Sequence, residues 1–112
     1  MDSTPRLKAG IFVRALLRRV QGEGASAFIL RSGAEEAGAV ILKVSKLDGA
    51  CLVLNQTRDG KGALVWAQAL GGWADDRRAA DWCDRQVKFD PDLWIVEIED
   101  RQGRAFVDEA IV

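Results

Sequence analysis

The chain of 112 residues contains no histidine and no tyrosine. Without imidazole there is no Ser-His or Cys-His nucleophile pair, no imidazole proton shuttle, and no zinc or iron site built on histidine. Cysteine is scarce as well: Cys51 and Cys83 sit in separate apolar segments, which excludes a CxxC redox or metal motif. Both read as reduced, buried thiols behaving as small hydrophobes. A disulfide between them is the alternative in an oxidising compartment, although a chain of this size needs no staple. Long apolar runs are missing too. The hydrophobic stretch after Lys8 is interrupted at Arg14, too early for a signal-peptide core or a bilayer span, so the expectation is a cytoplasmic protein without membrane contact. Nor does one sign of charge prevail. With 16 Lys+Arg against 17 Asp+Glu the formal charge is -1, and no global basic excess recruits nucleic acid. Phosphate cradles fail on inspection: Gly60-Lys61-Gly62 lacks both the Walker glycine and a following Ser or Thr. No GxGxxG or GxSxG occurs, and Ser32 and Ser45 have no base to form a triad.

What is present is the pattern of one globular domain over residues 1–112, since a chain this long has no room for a second autonomous core. Apolar residues recur at helical spacing over residues 6–21, with Ala9, Phe12, Val13, Leu16, Leu17 and Val20 on one side. Thr4-Pro5 supplies an N-cap and first-turn proline, and Gly22 with Gly24 the stop. Four strands are expected next, over residues 25–31, 39–46, 50–57 and 63–70, arranged as an antiparallel meander with Asp48-Gly49 as a hairpin turn. In the second, Val40, Leu42 and Val44 alternate with Ile41, Lys43 and Ser45, the pattern of a half-buried strand. Gly71-Gly72 ends the fourth strand. Asp75 or Asp76 then caps a second helix that runs to Phe89, with Ala79, Trp82, Cys83, Gln86 and Phe89 inward, and Pro91 forbids its continuation. Residues 93–99 form a fifth strand, and residues 105–108 offer a short edge strand. The fold class expected is α+β, an antiparallel sheet covered on one face by two helices.

Three stretches carry a resemblance. They are Arg6-Leu7-Lys8 leading into Ala15-Leu16-Leu17-Arg18-Arg19, Gly38-Ala39-Val40 through Lys43-Val44 to Leu47-Asp48-Gly49, and the run from Phe89 through Asp90-Pro91-Asp92-Leu93-Trp94 to Arg101. In this order and spacing the chain resembles the small bacterial domain-of-unknown-function family 1491 over nearly its whole length. The resemblance implies a short stand-alone cytoplasmic protein and carries over no catalytic residue and no cofactor.

Two charged regions and one aromatic are the candidate functional elements. Residues 1–20 hold five basic residues against one acid, a net of +4, and residues 90–112 hold two against seven, a net of -5. Lys8, Arg14 and Arg18 make a basic stripe suited to an acidic partner or a phosphate backbone; the simpler reading is that this helix packs beside the acidic strand or meets it across a dimer. Glu97 and Glu99, two apart on a strand, share a face, and Asp92 near the strand start joins them if the chain bends. Oxygen-only clusters suit Mg²⁺, Mn²⁺ or Ca²⁺, whereas the ordinary reading makes these acids the solvent face of an amphipathic strand. Trp66, Trp82 and Trp94 are assigned to the core. Trp73, following two glycines in an expected loop, is either a partner contact or a lid folded onto the core edge.

The expectation is therefore a non-enzymatic binding or protein-interaction module with a protein partner or a second copy of itself, and no cofactor. A divalent-metal enzyme using Asp92, Glu97 and Glu99 is the alternative. Nucleic-acid binding through the first helix is a weaker one, because the domain-wide basic balance that usually accompanies it is absent.

Overall fold

The computed structural model of the chain describes residues 8–112. Its elements run α1 (Ala9–Gly22), β1 (Ser26–Arg31), β2 (Val40–Ser45), β3 (Ala50–Arg58), β4 (Leu64–Asp75), α2 (Asp76–Phe89) and β5 (Trp94–Glu99). The fold class is α+β. The Thr4-Pro5 cap and the basic Arg6 lie outside the described residues. The capping residue observed at the start of α1 is Lys8, whose side chain makes no capping hydrogen bond. The second helix begins at one of the two expected aspartates: Asp75 accepts a hydrogen bond from the Arg78 amide at 2.8 Å. Before Pro91 the chain leaves the helix at Asp90, in extended conformation.

The strand order β1-β5-β2-β3-β4 departs from a simple meander. β2, β3 and β4 are successive antiparallel neighbours, and the hairpin at Asp48-Gly49 forms as its sequence demands. β1, however, is separated from β2 by β5, which runs antiparallel to β1 and parallel to β2. The chain returns through α2 to insert its last strand at the centre, a non-local pairing that no local pattern encodes. Residues 105–108 form no strand. Instead the tail lies along β4, with Ile111 bridged in parallel to Trp66 and the Val112 amide donating to the Trp66 carbonyl at 2.9 Å.

The two helices cover opposite faces of the sheet rather than one. Val13, Leu16 and Val20 of α1 pack with Leu42, Val44, Leu54, Trp66, Val96 and Ile98. Ala79 and Cys83 of α2 pack with Ile41, Cys51, Val53 and Ile95. The alternate residues of β2 and β5 thus serve two cores. That is why β2 is buried along almost its whole length although its sequence alternates like a strand with one wet face. Trp82 is only half-buried at the margin of the second core, and Phe89, expected to face inward, is 84% exposed. α2 stops at Phe89, so no further turn carries that ring over the sheet.

β4 does not end at its glycines. Leu54 pairs with Gln68 and Leu52 with Trp73, so residues 69–72 lie opposite Val53 alone. Gly71 and Gly72, with φ of 73° and 135°, supply the turns of this excursion, which lets Ala69 and Leu70 reach the α2 core. Trp73 consequently stands on a strand and not on a loop.

Candidate functional site

The basic stripe of α1 finds partners within the chain. Arg14 bonds Glu35, Lys8 Nζ lies 3.2 Å from Glu36, and Arg19 lies 2.9 Å from Asp108. The Arg14 hydrogen bond holds the Glu35 carboxyl below its ordinary range. The neutralising acids come from the β1–β2 connection and the C-terminal tail, not from the acidic strand β5. Arg18 alone of the three stripe residues is exposed without a partner among the described residues.

Trp73 is engaged on two sides. Lys46 Nζ stands 4.1 Å from its ring centroid, and the ring lies so close to Gly103 that a Cβ there would meet Trp73 Cη2 at 2.9 Å. The turn it covers is built on Asp100, a buried carboxylate that accepts from the Arg104 amide at 2.8 Å and from the Arg104 guanidinium at 2.9 and 3.0 Å. The guanidinium holds the Asp100 carboxyl well below the usual carboxylate range.

The three candidate metal acids do not converge. Glu97 faces Lys43, Nζ to Oε1 3.2 Å, and Asp92 lies in the turn before β5, its amide donating to Asp90 Oδ1. Among the described residues no group of three or more Cys, Asp or Glu side chains is gathered to hold a metal ion. Near Lys43 and Glu97 lie the two thiols, both free and buried. Cys51 donates to Asp76 Oδ1, and burial together with that carboxylate pushes its thiol up to about 12. A thiol so protonated is a poor nucleophile.

Two features escaped the sequence. The first is the outer edge of β1, where among the described residues no further strand pairs. Only Ala27 of β1 is buried; Phe28, Ile29 and Leu30 are 47%, 38% and 53% exposed. Three consecutive apolar residues read equally as a fully buried strand, and only the insertion of β5 leaves β1 at the margin. The second is a cavity of about 200 Å³ at the C-terminal end of α2, between Trp82, Gln86 and Phe89 on the helix and Ile41 and Asn55 on the sheet. It went unseen because Trp82 and Phe89 fit a core periodicity.

A mixed five-stranded sheet sandwiched between two helices, without a gathered set of metal-ligating groups among the described residues, defines a small α+β protein. The chain belongs to the family described as protein of unknown function (DUF1491), whose profile matches residues 7–108. It is similar to the crystal structure of a DUF1491 family protein from Caulobacter crescentus CB15, with 35% identity, a TM-score of 0.88, and coverage of 96% of this chain and 100% of that one. The NMR structure of a DUF1491 family protein from the same organism gives 34% identity, a TM-score of 0.85, and coverage of 97% and 99%. A solution structure of a protein from A. tumefaciens is 32% identical, with a TM-score of 0.72 and coverage of 85% and 86%. No curated protein matches the chain. Among the described residues no helix is long and apolar enough to cross a membrane.

Proposed function

We propose that the chain is a non-enzymatic protein-interaction module of the cytoplasm whose contact surface is the outer edge of β1, and that this edge fits a second copy of the chain. The observation that carries the reading is the exposure of Phe28, Ile29 and Leu30 on a marginal strand. An open apolar edge is a template for strand addition; the pairing of β1 with β5 is irregular between Ile29 and Arg31, so the regular template is the stretch from Ser26 to Ile29. The opposite margin of the sheet is treated differently, since the tail at Ile111 and Val112 lies along β4. The occupant that fits is a second copy, because two copies related by a two-fold axis place β1 antiparallel to β1 and lay Phe28, Ile29 and Leu30 of each beside those of the other. The internal pairing of Lys8, Arg14 and Arg19 argues against α1 as a phosphate-binding face. Two free, buried thiols suit a reducing compartment.

A six-residue edge buries less than the roughly 1,200 Å² of a standard interface, so the association is weak, on the order of micromolar. Sedimentation equilibrium across that concentration range tests it. The expected result is a monomer–dimer equilibrium that Phe28→Lys together with Leu30→Lys abolishes while leaving the fold intact. A wild-type chain monomeric at every concentration overturns the self-association reading.

A further inference from the structure

The cavity at the end of α2 has a chemical character independent of the β1 edge. Its floor is Ile41 and Asn55, a directly paired couple on β2 and β3, and its wall is Trp82, Gln86 and Phe89, one turn apart along α2. Asp90 completes the rim, and no lysine or arginine is among the residues that line it. Two aromatic rings and a carboxylate without a basic counterpart make a cation site. The helix adds to this. The cavity sits at the C-terminal turn of α2, where unpaired carbonyls and the macrodipole place partial negative charge. Lys88 of that turn is exposed and is not part of the lining.

The polar groups narrow the cation further. Asn55 and Gln86 make no side-chain hydrogen bond to another described residue, so their amide oxygens are open to a donor. Asp90 Oδ1 accepts from the Asp92 amide at 3.1 Å, which leaves the carboxylate with acceptor capacity to spare. A lining that combines two aromatic residues, aliphatic side chains, two amides and one carboxylate suits a planar, weakly hydrated cation with five N–H donors better than a compact, strongly hydrated ammonium. Phe89 supports the same conclusion, because a ring 84% exposed at the mouth contributes little to the core.

We propose that this cavity binds a guanidinium group, carried either by a small free molecule or by the arginine side chain of a peptide. The test is an NMR titration of the full chain that follows the Trp82 indole N–H. The probes are agmatine, the blocked tripeptide Gly-Arg-Gly, and the same tripeptide with neutral citrulline for arginine. The expected result is a saturable shift with the arginine probes in the millimolar range, about tenfold weaker in Phe89→Ala and in Asp90→Asn. Both changes are at partly or fully exposed positions, and the amide oxygen that Asp90→Asn introduces still accepts from the Asp92 amide, so an unchanged urea midpoint separates loss of binding from loss of fold. Tighter binding of agmatine assigns the small molecule as source, and tighter binding of the tripeptide assigns the peptide. No saturable shift up to about 10 mM, an equal response to citrulline, or unaltered binding in both variants overturns the proposal.

Discussion

Lys43 of β2 and Glu97 of β5 are directly paired across the parallel strands, with Nζ 3.2 Å from Oε1 and side chains only 14% and 19% exposed. The pair stands on the face that α2 covers, where Ile41 and Ile95 are core. Burial alone pushes the Lys43 ammonium down, but the hydrogen bond and charge of Glu97 outweigh it and leave its pKa raised. Lys43→Met strands a half-buried carboxylate and should cost about 1–3 kcal/mol, less than a fully buried pair because both heads still touch water. The double change Lys43→Met with Glu97→Met should cost less than the single one. Urea denaturation of the four proteins of this cycle measures it.

The thiols next to this pair set the alkaline limit of stability. Cys51 is raised from 9.0 to about 12 by burial and by Asp76, and burial raises Cys83 as well. A raised folded-state value means that the stabilisation is complete below the unfolded value and is lost as pH rises toward the folded one. Stability should therefore hold to about pH 9 and fall between there and pH 12, the raised Lys43 adding to the loss. Cys51→Val should flatten that fall in a series of thermal melts. In the native protein at pH 8 neither thiol should react with a disulfide reagent, and both should react at once in denaturant.

The helix caps test the local reading of the sequence. Asp75→Ala removes the acceptor for the Arg78 amide and should destabilise by about 1 kcal/mol. Asp75→Asn, which keeps an oxygen acceptor, should lose only a fraction of that. Both are read from chemical denaturation.

What the sequence reveals follows from how local each signal is. The α1 periodicity, the Asp48-Gly49 hairpin, the Asp75 cap and the Pro91 stop depend on neighbours within a few positions, and all four stand in the structure. The place of β5 between β1 and β2 depends on a return across two strands and a helix, which leaves no trace in any short window. From that one event follow the half-hidden pair at Lys43 and Glu97 and the open edge at Phe28. The double glycine at 71–72 is legible as a break, yet a bulge and a strand end use the same residues, and only the resumed pairing of Trp73 with Leu52 distinguishes them. Of the candidate site, the residue types are visible in the sequence but their partners are not: Arg14 is answered by Glu35 and Lys8 by Glu36, acids that lie in a loop and form no pattern of their own.

Trp73 and Gly103 provide the sharpest test of whether the indole is a lid or a contact. Gly103 has φ of 71°, and a Cβ would stand 2.9 Å from Trp73 Cη2 and 3.1 Å from Lys46 Cε. Gly103→Ala therefore meets two separate penalties, one from the backbone and one from the ring, and should cost about 1–3 kcal/mol. Adding Trp73→Leu relieves the ring but leaves the backbone strain, so the double variant should be less destabilised than the sum of the singles. Trp73→Leu alone should lower stability by about 1 kcal/mol, because the indole loses both its packing on the turn and the Lys46 ammonium above it. If the ring serves the fold in this way, the same change leaves the sedimentation behaviour of the chain untouched. A variant that keeps full stability but alters association would instead make Trp73 part of the contact surface.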